Sequence, residues 1–203
     1  MKKYAHSILR YLIIYTLGFA LFYVMNALTD VIYTALSDKM PNIFPSYNAI
    51  TEKAELISLE ATLSLISAIL TVFILTVVAV RYDNERFEFM ISETDGFYTM
   101  RDGCKIYLRN YLYADVLSAF LVPVPFFLMT LIELPESNIK AFRVIRDILG
   151  TLTSPSDAFA NKLGLFGGIC AAVLVSLLSR IPAGYTGLKR WRGLWLSDVD
   201  RQD

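Results

Sequence analysis

Acidic residues in or beside long apolar runs are the side chains of this sequence best suited to chemistry. Glu60 lies near the start of residues 57–80, a run that is otherwise uncharged, and Asp30 and Glu133 each end another such run. A carboxylate at membrane depth is costly, and by default it marks an ion path, a proton path or a buried partner. We expect membrane helices to bring Asp30, Glu60 and Glu133 to a similar outer depth, where they form a candidate site for an ion or a partner.

Two of these three acids also have a simpler explanation. Asp30 and Glu133 can reach the lipid headgroups from the ends of their runs without binding anything specific. Glu60 fits that explanation less well, because its neighbours Leu59 and Ala61 are apolar. We hypothesise that Glu60 is partly protonated, or that it binds a cation or a basic partner.

Motifs for catalysis are missing from the sequence. Its single histidine, His6, lies in a basic N-terminal segment, and the zinc motif His-Glu-x-x-His, the nucleophile elbow Gly-x-Ser-x-Gly and the phosphate loop Gly-x-x-x-x-Gly-Lys are all absent. Cys104 and Cys170 show neither metal-ligand spacing nor the pattern of a disulfide framework. We therefore predict no catalytic residue, no metal site, no cofactor and a non-enzymatic function.

Four long apolar runs determine the predicted architecture. Hydrophobic residues make up 55% of the 203 residues and charged residues only 19%, against about 25% in ordinary soluble domains. As a helix, residues 57–80 extend over about 36 Å, which is enough to cross a hydrocarbon core of about 30 Å. We predict a single all-α membrane domain over residues 1–203, a polytopic bundle of four transmembrane helices. The predicted spans cover residues 11–33, 57–80, 112–133 and 163–180.

The distribution of basic residues predicts the orientation of this bundle. With four spans, the N-terminus, the segment 81–111 and the tail 181–203 lie on one side of the membrane. That side, counted with Arg180 at the end of the fourth span, carries thirteen of the nineteen Lys and Arg residues. Because cytoplasmic segments are enriched in Lys and Arg, both termini are predicted to be cytosolic. We predict a multi-pass protein of the plasma membrane, in a bacterium the cytoplasmic membrane.

Two amphipathic helices are expected at the membrane surface, at residues 99–111 and 138–150. In each, apolar side chains recur on one face of the helix and charged side chains lie mostly on the other. Thr99 and Asp102 have the spacing of a capping box, in which each residue satisfies an amide at the start of the helix. The first surface helix is therefore predicted to start at Thr99.

Proline and small residues give the third and fourth spans their predicted shapes. Pro123 and Pro125 each remove a helical hydrogen bond, which predicts a kink in the third span. Gly164, Gly168 and Ala172 recur at every fourth position of the fourth span, a spacing that lets helices approach closely. This seam is expected either to pack within the monomer, which we favour, or to join two copies of the chain.

The tail contains a basic and aromatic cluster, formed by Lys189, Arg190, Trp191, Arg192 and Trp195. Indole rings prefer the headgroup region, and clustered Lys and Arg are drawn to anionic lipids of the cytosolic leaflet. Such a cluster can also bind nucleic acid, but its position directly after a span favours a membrane-surface anchor. We predict the lipid bilayer as a partner and no binding of nucleic acid.

The expected function follows from these features. The segment 81–111 combines both signs of charge with aromatic residues, which suits docking to another protein. Alternatively, these aromatic residues fold back on the inner ends of the bundle. We predict an accessory or assembly subunit of a larger membrane complex, with a membrane protein or a second copy as its partner. The alternative is a small oligomeric channel or transporter for an ion or small solute, using Asp30, Glu60 and Glu133.

Overall fold

Most of the residues that the computed structural model of this chain describes are helical. The described residues are 2–83, 87–88, 99–121, 123–130 and 140–199, and no strand lies among them. The helices are α1 (Lys2–Lys39), α2 (Lys53–Arg81), α3 (Met100–Leu121), α4 (Pro123–Met129) and α5 (Lys140–Val199), with a short 3-10 turn at Tyr47–Ala49 between α1 and α2.

Four helical stretches are long and apolar enough to cross a membrane. They are Ala20–Lys39, Lys53–Arg81, Tyr111–Met129 and Arg143–Leu194. The all-α class and the four candidate spans are therefore confirmed.

The helices extend beyond the predicted spans. α3 joins the predicted surface helix 99–111 to the start of the predicted span 112–133, because neither Pro nor Gly interrupts residues 104–121. One half of the predicted capping box at its start is confirmed, since the amide of Asp102 donates to the hydroxyl of Thr99 at 3.2 Å. The carboxylate of Asp102 accepts from the Thr99 hydroxyl rather than from the predicted backbone amide. The predicted kink falls at the junction of α3 and α4, and residue 122 between them lies outside the described residues.

Helix α5 reverses its direction at Gly164. This glycine has φ 73° and ψ 166°, a backbone conformation that side chains rarely permit. A Cβ added to Gly168 would lie 3.1 Å from the carbonyl carbon of Phe159. Nine residues of continuous helix would separate these positions by about 13.5 Å along the axis. The two halves of α5 therefore pack against each other as a helical hairpin, and Gly164 serves as its turn rather than as the packing residue that its spacing predicted.

The half of α5 before this turn differs from the prediction. Residues 134–162 were expected to be a connection outside the bundle with a surface helix at 138–150. Instead, the described part from Lys140 onward is helical, and Ala158 and Phe159 are buried in the core. Residues 143–148 remain exposed, so only the second half of this segment packs in the bundle.

The core lies where both halves of α5 meet α1, α2 and α4. Its buried members are Phe22, Ala68, Val72, Phe127, Ala158, Phe159 and Ala172. Gly168 and Ala172 thus pack inside the monomer. The buried hydroxyls of Ser67 and Thr71 bond to backbone carbonyls one turn earlier, at 2.9 and 2.7 Å, so α2 carries polar residues into this core with their donors satisfied.

A second cluster closes the end of the bundle where α1 and α3 begin. It contains Phe87, Tyr107, Tyr111 and Leu188, all of them buried. The predicted tail belongs to this cluster, because α5 continues to Val199 and Trp191 stacks on Phe87 with ring centroids 6.1 Å apart. The side chain of Trp195 lies outside the described residues. Trp191 therefore packs against the protein itself, and Lys189 is exposed beside it.

Candidate functional site

A polar pocket of about 990 Å³ opens between the end of α1 and the start of α2. It is lined by Asn26, Asp30, Tyr47, Asn48, Leu56, Ile57, Glu60, Ala61, Ser64 and Asn161. Two of the three predicted site acids, Asp30 and Glu60, thus face one pocket. The third, Glu133, lies outside the described residues.

Helical periodicity explains how two helices place their residues here. Asn26 and Asp30 are four residues apart on α1, so they lie on one face of that helix. On α2, the pocket residues follow the spacing of a single helix face at positions 57, 60, 61 and 64. The polar surface of the pocket is therefore formed by two facing helical stripes.

The connection between α1 and α2 supplies the third wall. The hydroxyl of Tyr33 donates to the carbonyl of Pro45 at 2.7 Å, and the ring of Tyr33 packs 5.4 Å from that of Tyr47. These contacts fold the connection back on α1 and place Tyr47 over the carboxylate of Asp30. The Tyr47 hydroxyl donates to Oδ1 of Asp30 at 3.3 Å.

Burial, together with the neighbouring carboxylates, keeps Tyr47 in its protonated form. Burial raises the pKa of Tyr47 to about 12, with further contributions from the negative charge of Asp30, its hydrogen bond, and the charge of Glu60. At neutral pH the phenol is therefore a hydrogen-bond donor. The negative charges of Asp30 and Glu60 therefore both contribute to the raised pKa of Tyr47.

The two carboxylates set the charge of this pocket. Asn26 also lines it, but its amide oxygen is shielded from solvent and has no hydrogen-bond partner among the described residues. The neighbouring base, Lys162, donates to the hydroxyl and carbonyl oxygens of Ser58, at 2.9 and 3.2 Å. Glu60 itself is exposed. The carboxylates of Asp30 and Glu60 therefore favour a cationic occupant with hydrogen-bond donors.

The acidic side chains of this pocket do not form a compact metal site. Within the described ranges, no three His, Cys, Asp or Glu side chains come together as potential metal ligands. The pocket is also much larger than the share of about 30 Å³ that one water takes in the liquid, and it lies in the range of about 300–1,000 Å³ that organic ligands fill. The volume of the pocket and its two carboxylates suit an ammonium or guanidinium group better than a bare metal ion.

The raised pKa of Tyr47 predicts an alkaline transition in stability. The folded protein holds this proton more tightly than the unfolded chain, whose tyrosine pKa is near 10, so stability is lost as pH rises from about 10 to 12. We expect Tyr47→Phe to flatten this part of the stability profile, measured by chemical unfolding at each pH. The exposed Tyr113→Phe is the control, and an equal flattening there would contradict the assignment.

Sequence reasoning missed a second polar cluster, which joins α3 to α5. Arg180 and Asp115 are both at most 7% exposed, with Nε and Oδ1 at 3.7 Å. The Tyr107 hydroxyl donates to Oδ2 of Asp115 at 2.7 Å. Arg180 also donates to the hydroxyls of Ser118 and Ser176, at 2.8 and 3.0 Å. Buried charges persist when they are paired and hydrogen-bonded in this way.

The position of this pair explains why the sequence did not reveal it. Asp115 and Arg180 each lie beside an apolar run, where a charged residue ordinarily marks the end of a span. Ala183, one turn after Arg180, instead packs with Ala79 and Val80 near the end of α2. The pair therefore lies inside the bundle. Its only sequence signal is one acid and one base that end two different runs on the same predicted side.

The chain matches no protein-family model, no curated protein and no solved structure.

Proposed function

We propose that this chain is a non-enzymatic accessory or assembly subunit of a larger membrane complex. The pocket lined by Asp30 and Glu60, which we call the acidic pocket, would receive a basic group of a partner. The observation that carries this proposal is the convergence of Asp30 and Glu60 on one open pocket. A Lys or Arg side chain would supply both the charge and the donors that this surface lacks.

Several observations support a place in the membrane. Four helical stretches have the length and hydropathy of spans. Large apolar side chains face outward along them, for example Phe166 at 81% and Ile181 at 70% exposure, and a lipid environment would cover such a surface. We place the protein in the plasma membrane with both termini in the cytosol, because most of its basic residues lie toward that side. The pocket then lies at the outer face.

The packing beneath the pocket favours a docking role over a solute path. Ala68 is fully buried, and Phe22 and Val72 are each 4% exposed, in the core directly below. Native cores of this kind leave few voids as large as a water molecule. The buried residues beneath the pocket, in the part of the chain that the structure describes, therefore favour an occupant that stays in the pocket, such as a docked side chain.

The test is purification of the tagged protein at native expression in a mild detergent, with mass spectrometry of its partners. We expect a stoichiometric partner with the wild type and at least tenfold less of it with Asp30→Asn/Glu60→Gln, because the partner's base would lose its buried counter-charge. The control, Asp38→Asn/Glu55→Gln, removes two exposed acids from the same helices that do not line the pocket. A partner retained equally by all three proteins would contradict the role of the pocket.

The second candidate is an oligomeric channel or transporter that binds a free cation at Asp30 and Glu60. The open, acidic pocket supports this alternative as well, but the buried residues beneath it favour a path between copies of the chain. A homo-oligomer without a foreign partner would favour it. In that case Glu60→Gln should lower cation flux into liposomes, whereas unchanged flux would exclude the role of Glu60.

A further inference from the structure

Three arginines from three different helices surround a single residue at the end of the bundle opposite the pocket. Arg10 of α1 donates to the carbonyl oxygen of Tyr82 at 2.6 Å. Arg81, at the end of α2, and Arg190 of α5 place their guanidinium carbons 5.6 and 4.8 Å from the centre of the Tyr82 ring. We call Arg10, Arg81 and Arg190 the arginine cluster.

The cluster has donors that the protein leaves unused. The Nε atoms of Arg10 and Arg81 and one terminal nitrogen of Arg190 are shielded from solvent, and none has a hydrogen-bond partner in the described part of the chain. A shielded charged donor without an acceptor is costly, and three such groups close together also repel one another. The Tyr82 ring offsets this repulsion only in part, through its negative face.

Basic residues outnumber acids around Tyr82 in the part of the chain that the structure describes. The buried Asp83 and the exposed Glu88 are the described acids nearest to Tyr82 along the chain. Against them stand the three arginines of the cluster together with Lys189 and Arg192, so positive charges exceed negative ones among these described residues. Tyr82 is 45% exposed, which leaves the cluster open on one side to an external ligand.

We propose that the arginine cluster is a binding site for a phosphate group, supplied by an anionic phospholipid of the cytosolic leaflet. Guanidinium groups pair with phosphate oxygens through two parallel hydrogen bonds, and a phosphate offers enough acceptors for several arginines at once. Arg10 directly precedes one apolar run and Arg81 directly follows another, so both lie at the depth of lipid headgroups. The choice of a lipid rests on the proposed membrane location and is independent of the partner proposed for the acidic pocket.

This site differs from the anchor that the tail alone predicted. There, Arg190 and Trp191 were expected to touch the membrane as part of one basic segment. Here, Arg190 acts with residues about 110 and 180 positions earlier in the chain, while Trp191 packs on Phe87. The phosphate would therefore join the ends of α1, α2 and α5, and its binding should also stabilise the folded protein.

The test is native mass spectrometry of the full chain in detergent with added phosphatidylglycerol or phosphatidylcholine, together with thermal unfolding in each lipid. We expect the wild type to prefer phosphatidylglycerol and to melt at a higher temperature with it. Each basic residue near an anionic surface contributes about 1 kcal/mol, so Arg10→Gln/Arg190→Gln should weaken phosphatidylglycerol binding about 30-fold. The single variant Arg10→Lys keeps the charge but loses the paired donors of the guanidinium, so it should weaken binding less than Arg10→Gln does.

The control is Arg109→Gln, which removes an exposed arginine of α3 that lies outside the cluster. Equal binding of the two lipids, or an equal loss in the control, would overturn the proposal. Inorganic phosphate is the third probe. If it protects the wild type as well as phosphatidylglycerol does, the site takes free phosphate and the lipid source is wrong. None of these outcomes depends on whether the acidic pocket holds a partner.

Discussion

Replacing Asp115 with leucine is expected to lower the free energy of unfolding by about 3–5 kcal/mol, the usual cost of leaving one member of a buried ion pair unpaired. Arg180 would keep its hydrogen bonds to Ser118 and Ser176 but lose its carboxylate. Tyr107 would lose its acceptor as well. The measurement is equilibrium unfolding of the purified protein in detergent.

A double replacement separates the missing partner from a general loss of packing. Asp115→Leu/Arg180→Met removes both charges, and apolar residues of similar size often replace a buried pair at little cost. We expect most of the lost stability to return in this variant. Asp147→Leu, at an exposed position of α5, should change stability by no more than about 0.5 kcal/mol. If the double variant were no more stable than Asp115→Leu, the ion pair would not explain the effect.

Replacing Gly168 with alanine is expected to destabilise the protein by about 1–3 kcal/mol, the usual cost of overpacking a core. The added Cβ would lie 3.0 Å from the ring of Phe127 and 3.1 and 3.2 Å from the backbone of Phe159 and Ala160. The backbone contacts cannot relax unless the hairpin around Gly164 opens. Gly168→Ile should therefore separate the two halves of α5 and have a larger effect.

Two other glycines of α5 provide matched controls. A Cβ on Gly150 would have nothing within 4 Å, and one on Gly167 would only reach Cβ of Leu163 at 3.4 Å. Alanine at Gly150 should stabilise the helix by about 0.5–1 kcal/mol, and alanine at Gly167 should be nearly neutral or stabilising. Thermal unfolding compares the three. A Gly168→Ala protein as stable as Gly150→Ala would contradict the close packing, and a changed oligomer size would favour the seam between copies.

The sequence by itself determined the helices, because their signals are local. Long apolar runs with almost no charge predict spans, and all four candidates exist as helices. The capping spacing of Thr99 and Asp102 involves only neighbouring residues and could be predicted for the same reason. Part of the acidic pocket could also be predicted from the sequence. Asp30 and Glu60 lie at matching ends of consecutive apolar runs, and an antiparallel pair of helices brings such ends together.

The tertiary structure decided which distant residues meet. The spacing of Gly164 does not distinguish a packing residue from a hairpin turn. Which of the two it is depends on whether Phe159 packs in the core against Gly168. In the same way, Asp115 and Arg180 resemble ordinary ends of spans until α3 and α5 pack side by side. Contacts of this kind are set by the total burial that the whole bundle gains, which a pattern within one segment does not contain.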